Sequence, residues 1–322
     1  MGKYIIRRLL QQIPILIGVS ILLFSIFKLA PGNPLASFYA DPNMTITEMK
    51  QLEAAYGLDK PAYEQYFDYV KKIVVDWNMG NSLQLRQPVS KLIGERMWST
   101  FYLAFLSLIC SLLIAIPIGV ISATRQYSIF DYGGTIFALM GISIPSFFFA
   151  LLLIKQFSID IRLFPISGMS TPGMTFTTMG RYLNILKHTF LPLTVLSLTG
   201  AASFMRYTRS SMLEVIRQDY IRTARAKGLK EKVVIYKHAL RNALIPVVTL
   251  LGLQIPVLFS GALIVEIIFV WPGMGKMQHT AVLNRDYPLM MGINLFLAVL
   301  TLFGNLMADI AYGFVDPRIK YD

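Results

Sequence analysis

The sequence has little that does chemistry. Its 322 residues include one cysteine and three histidines. Cys110 lies inside an apolar run, which excludes a disulfide framework and a cysteine metal site. His188, His238 and His279 fall at span edges or in loops, at no metal-ligand spacing. No Ser/His, His/Glu or paired-aspartate set falls within an apolar run, as an intramembrane enzyme would need. The stretch Trp271 to Lys276, WPGMGK, lacks the G-x-x-x-x-G-K-[ST] spacing of a phosphate loop. The chain therefore shows no means of its own to bind and hydrolyse ATP. Charge is scarce too, at 15% of residues. The net charge of +12 comes from basic residues scattered between apolar runs, not gathered on an aromatic-rich face, so nucleic acid is not an expected partner.

What the sequence has in quantity is apolar surface. Hydrophobic residues make up 55% of the chain, and the mean hydropathy is +0.55. A membrane-spanning helix needs about 20 mostly apolar residues. Six such runs are predicted: Leu9–Leu29, Thr100–Ile121, Thr135–Phe157, Phe190–Met205, Pro246–Ile268 and Leu289–Tyr312. The first is too long for a signal-peptide core and has no A-x-A site after it, so an uncleaved span is expected. Prolines 14, 117, 145, 192 and 256 sit in or beside these runs, where neighbouring helices and water re-satisfy the freed carbonyls.

Lysine and arginine set the expected orientation. Lys3, Arg7 and Arg8, the many basic residues from Arg206 to Arg241, and Arg318 and Lys320 all fall on one side if there are six spans. That side should be the cytoplasm, with both termini there. Residues 31–97 form an insertion on the other side. In it Thr45 and Glu48 predict a capping box, Gly57 a helix end and Pro61 a helix start. Tyr63, Phe67, Val70 and Val74 share one face of the second helix. The expected fold is therefore an all-α polytopic membrane protein, with six transmembrane helices and a small helical extracellular insertion between the first and second.

Charged residues inside spans are costly and so informative. Lys28 and Lys155 lie near outer ends, where long side chains reach the interface. Glu266 also lies near an outer end, and either lines a polar path or pairs within the protein. A self-contained secondary transporter would need coupling-ion carboxylates near the midplane. The spans offer only Glu266 and Asp309, both near ends.

One stretch does not fit a plain solvated loop. DYIRTARAKGL, Asp219 to Leu229, reads as a short basic helix that Asp219 caps and Gly228 ends in a left-handed conformation. Ile221, Ala224 and Ala226 are small or apolar, and Arg222 and Arg225 are spaced i,i+3. The longer run from Asp219 to Val248 resembles the EAA-type coupling loop of ABC importer permeases, with Thr223-Ala224-Arg225 in place of E-A-A. Further motifs resemble the B-type permeases of the oligopeptide/dipeptide importer branch. These are APGNP at Ala30–Pro34, GISIPSFF at Gly141–Phe148, WPGMG at Trp271–Gly275, NRDYPLMMG at Asn284–Gly292 and DPRI at Asp316–Ile319. The resemblance covers essentially the whole chain.

The resemblance implies residues 1–30 as an N-terminal segment with the first span, 31–97 as the insertion and 98–322 as the permease core, with a cytoplasmic coupling loop over 206–245. It implies a second homologous permease, two ABC ATPases that bind ATP and Mg, an extracellular peptide-binding protein and the lipid of a bacterial plasma membrane. This chain would hold no cofactor. Asp219, Tyr220, Ile221, Arg222, Ala224, Arg225, Ala226 and Gly228 would couple to an ATPase, with Ile221, Ala224 and Ala226 in its cleft and Arg222 and Arg225 on its polar rim. Pro145, Phe148 and Glu266 are candidates for the substrate path. Peptide is the expected cargo. Nickel chelates are the alternative within the same class, because these motifs do not encode the cargo.

Overall fold

The computed structural model describes residues 2–29, 33, 35, 39 and 45–315. The motif at residues 30–34, apart from Asn33, and the C-terminal motif at 316–319 with Arg318 and Lys320 lie outside the described residues. Asn33 turns the chain after the first helix by accepting the Leu35 N–H on Oδ1 at 2.8 Å. The described residues are mostly helical and contain no strand, only one isolated bridge between Asn81 and Pro88. Among the described residues, five helical stretches are long and apolar enough to cross a bilayer, or six if one bent pair counts as a single span. The chain divides into two compact units, residues 1–98 with 273–322, and residues 99–272.

In the first unit, α1 (Gly2–Leu29) runs beside α15 (Tyr287–Val315), and Gln12 Nε2 donates to the Leu302 carbonyl at 3.1 Å. The insertion supplies α2 (Ile46–Ala55) and α3 (Ala62–Val74). The capping box is present: Thr45 Oγ1 accepts from the Glu48 N–H at 3.3 Å, and Glu48 Oε2 accepts from the Thr45 N–H at 2.8 Å. Gly57 follows the helix end at φ +64°, and Pro61 caps the next helix. The face of α3 that packs is not the one holding Tyr63, Phe67 and Val74, which are exposed. Tyr66 of α3 instead meets α1, with its hydroxyl 2.8 Å from Ser20 Oγ and its ring edge-on to Phe24. The core of this unit joins the first turns of α4 (Val89–Thr124) to α14 (Met274–Leu283) and α15, through Val89, Leu92, Ile93, Met274, Met277 and Ile293.

The second unit holds the rest of α4, then α5 (Ile129–Ser143), α6 (Ser146–Leu153) and α7 (Thr178–Ile216). After α6 the chain winds on as a π-helix over Ile154–Asp160. With 36 and 39 residues, α4 and α7 run about 54 and 58 Å, far beyond the ~30 Å hydrocarbon core. The run expected at Phe190–Met205 is thus the middle of a much longer helix. Arg206 and Arg209, expected in a loop, extend α7 instead.

Two expected spans differ from the structure in kind. Thr135–Phe157 is not one straight helix: α5 and α6 meet at 99°. Proline disfavours the helical region for the residue before it, and Ile144 before Pro145 is extended at ψ 120°. Pro246–Ile268 is not one helix either. The apolar stretch long enough to cross runs earlier, Glu231–Gly252, from α9 (Glu231–Val233) through a π-helix (Val234–Ala239) and α10 (Leu240–Ala243) into α11 (Ile245–Leu253). The chain then breaks near Pro256 and at Gly261, leaving only α12 (Val257–Ser260) and α13 (Leu263–Ile268). Hydropathy registered one apolar run, while backbone breaks decided where helices form.

Candidate functional site

The basic stretch singled out in the sequence is helix α8 (Asp219–Ala226). It starts one residue earlier than the capping expected of Asp219. Gln218 is the cap, extended at ψ 150°, and makes no side-chain cap bond. Its carbonyl accepts the Ile221 N–H at 3.0 Å. Asp219 sits in the first turn, where its charge favours the positive helix end. Its contact with Arg222 at 3.3 Å is almost fully exposed and contributes little. The helix ends as the sequence indicates. Gly228 takes φ +74°, and its N–H bonds the Arg225 carbonyl at 2.9 Å.

Within this chain, three of the residues expected to couple already have partners. Ile221 and Ala224 are buried, the first completely, against Val120, Ala123, Met212, Val234 and Ala239 of this same chain. Within this chain they root the helix against its own neighbours. Arg225 is engaged as well: Nη2 and Nε lie 2.7 and 3.2 Å from the Glu231 carboxylate, a fork-to-fork contact that spans the Gly228 turn. The hydrogen bond to Glu231 pushes the Arg225 pKa up further, so this guanidinium stays charged. The outer surface consists of Tyr220, Arg222, Thr223, Ala226 and Lys227, all exposed.

Below α8 lies a polar junction that no motif had marked. Asp131, buried in the first turn of α5, accepts from Arg209 of α7, Nε at 2.7 Å and Nη2 at 2.9 Å. It also accepts from the Ser122 hydroxyl of α4 and from the Tyr127 N–H at 3.0 Å. Ser128 caps α5 by accepting the Asp131 N–H at 3.3 Å. A signal was present in Ser128-Ile-Phe-Asp131, a cap residue followed three places later by an acid. Arg209 had been grouped with the positive-inside charges because sequence spacing does not reveal a partner 78 residues away.

The three candidates for a substrate path separate. Pro145 and Phe148 are exposed at the bend between α5 and α6. Glu266 is 1% exposed and accepts the Thr100 hydroxyl at 2.9 Å, so within this chain it lines no open path. The Trp271 ring of the WPGMG motif is wholly buried, stacks on Tyr102, and donates Nε1–H to the Ser99 carbonyl at 3.0 Å. The NRDYPLMMG motif has a structural task in the other unit. Asp286 is 1% exposed and collects the Ser82 hydroxyl at 2.5 Å with the N–H groups of Leu83, Gln84 and Leu289. At the end of the motif, a Cβ on Gly292 would stand 2.4 Å from Val89 Cγ1, so α15 approaches α4 there as only glycine allows. Among the described residues, no group of three or more His, Cys, Asp or Glu is placed to hold a metal ion.

Two very long helices, a bent apolar pair and a short helix rooted between α7 and the next apolar stretch make this a polytopic membrane protein. Residues 115–321 match the binding-protein-dependent transport system inner membrane component family, and residues 1–104 match the N-terminal region of binding-protein-dependent transport membrane components. The chain belongs to this family, the membrane-spanning permeases of ABC importers. More narrowly, it is a permease of the oligopeptide/dipeptide branch. It is 46% identical to the oligopeptide transport system permease protein AppB of Bacillus subtilis, covering 100% of both chains. It is 38% identical to the dipeptide transport system permease protein DppB of Escherichia coli K12, covering 100% of this chain and 99% of that one. A solved inward-facing structure of the MetNI methionine ABC transporter has the same fold at TM-score 0.53 and 18% identity, over 70% of this chain and 96% of that one. The family's role is transport rather than catalysis.

Proposed function

We propose that this chain is one of two homologous membrane subunits of a peptide importer, and that α8 receives the closing motion of a partner ATPase. Two ATPase subunits bind ATP and Mg, one under each permease, and an extracellular binding protein delivers the cargo. The names of the relatives, oligopeptide and dipeptide permeases, favour peptide over a nickel chelate.

The observation that carries the reading is the two-sidedness of α8. Its inner side is rooted in the chain's own helices through Ile221 and Ala224, and its outer side presents Tyr220, Arg222, Thr223, Ala226 and Lys227. Force applied to the outer side passes into α7 through Met212 and into the π-helical start of the next span through Val234 and Ala239. A π-turn is a weak point in helical winding, which suits a place where a span tilts. ATP favours one arrangement of the transporter because the closed ATPase pair holds α8 differently in the two states.

The test targets the outer surface. Ala226→Glu places charge and bulk where a close contact is read, and should yield permease complexes that lack ATPase subunits or that hydrolyse ATP without moving peptide. Lys230→Ala, outside that surface, should transport almost normally. Wild-type assembly and uptake by Ala226→Glu would refute the coupling role. The orientation is checked separately: a cysteine at Lys50 should react with an impermeant maleimide in whole cells, and one at Lys227 should not.

A further inference from the structure

The end of α1, the insertion and the start of α15 line a half-open cavity of about 670 Å³, within the range of small-molecule sites. Phe24, Phe27 and Met291 form its apolar wall, and Lys28, Lys60 and Lys72 stand around it. The cations are not equivalent. Lys60 is held by Asp68 at 2.6 Å. Among the described residues Lys28 donates to the neutral Gln65 Oε1 at 3.1 Å, and Lys72 forms no ion pair, although its charge acts on Asp68 four residues before it. Asp68 lines the cavity too, so three ammonium groups face a single carboxylate and the half-apolar cavity keeps a net positive charge.

The depth of the cavity indicates what it accepts. The apolar stretch of α1 ends at Leu29, one residue past Lys28. On either side of a bilayer that places Lys28 at the headgroups, with Phe27 beside it and Phe24 about one turn deeper, at the acyl boundary. We propose that this cavity binds one anionic phospholipid, its phosphate between Lys28 and Lys72 and the start of an acyl chain against Phe24 and Phe27. A zwitterionic lipid fits less well, because its ammonium group would meet two lysines. The lipid would fill the gap between α1 and the insertion.

The test is native mass spectrometry of the full chain, purified with the subunits it assembles with from membranes supplied with phosphatidylglycerol and phosphatidylcholine. After delipidation the wild type should retain one phosphatidylglycerol in preference to phosphatidylcholine. The Lys28→Ala/Lys72→Ala double variant should bind it about 30-fold more weakly, each lysine contributing about fivefold. Lys28→Arg/Lys72→Arg should retain the lipid, and Lys50→Ala, outside the cavity, should match wild type. Equal retention by the double-alanine variant, or equal retention of the two lipids, would overturn the proposal. So would displacement of the lipid by added dipeptide, which would assign the cavity to the transported class.

Discussion

Arg209 holds Asp131 with both arms of its guanidinium, Nε on Oδ1 at 2.7 Å and Nη2 on Oδ2 at 2.9 Å. The pair ties the first turn of α5 to α7, and Ser122 brings in α4, since its hydroxyl bonds Asp131 and accepts from Arg209 at 3.0 Å. Val120 and Ala123 flank that serine, and Met212 lies one turn beyond Arg209. These three residues pack on Ile221 and Ala224. The ion pair therefore stiffens the floor on which α8 rests. Removing Arg209 leaves the buried Asp131 carboxylate without compensation; a fully buried pair loses about 3–5 kcal/mol this way, and this one, with Arg209 partly exposed, less. Arg209→Met should lower the melting temperature of the purified complex more than the Asp131→Leu/Arg209→Met double variant. A double variant as unstable as the single would show that the charges do not compensate one another.

The end of α8 depends on one backbone conformation. Nothing lies within 4 Å of a Cβ built at Gly228, so a side chain there meets no steric obstacle, only the strain of φ +74°. A β-branched residue costs about 1–2 kcal/mol in that region, whereas asparagine visits it readily. Peptide uptake should fall sharply in Gly228→Val and be largely retained in Gly228→Asn. Equal uptake by the two would mean that the turn tolerates another conformation.

Gly292 and Val89 form a contact that sequence separation hides. Gly292→Ala forces a Cβ to 2.4 Å from Val89 Cγ1, and such overpacking costs about 1–3 kcal/mol. Adding Val89→Ala removes the clashing methyl, so the double variant should be more stable than the sum of the singles allows. Thermal unfolding of the three variants measures the coupling, and simple additivity would rule the contact out.

Tyr69 carries a buried hydroxyl with no hydrogen-bond partner among the described residues. Leaving such a group unsatisfied costs about 1–3 kcal/mol, so Tyr69→Phe should stabilise the protein by about 1 kcal/mol. Burial raises the pKa of this hydroxyl. The folded protein then keeps a proton that the unfolded chain releases near pH 10, so this residue's contribution to stability falls as pH rises past about 10. The gap between Tyr69→Phe and wild type should widen in that range, and a constant gap would show that the hydroxyl ionises freely in the fold.

Much was legible from residue order alone. Apolar runs of about 20 residues can hide in nothing but lipid or a large core, so the membrane class followed from composition and run length. The Thr45–Glu48 cap and the left-handed glycine after α8 are local interactions within a few residues, and both formed where the residues indicated. Tertiary structure alone decided which side of each element faces inward. Ile221 and Ala224 look from their spacing like residues offered to a partner, but α4 and α7 lie beside them and bury them. Glu266 looked like a path-lining charge until the fold brought Thr100 to it, and Arg209 like a topology signal until the fold delivered Asp131. Periodicity fixes how side chains are spaced around a helix, whereas the neighbour each one meets depends on contacts 78, 87 or 166 residues away.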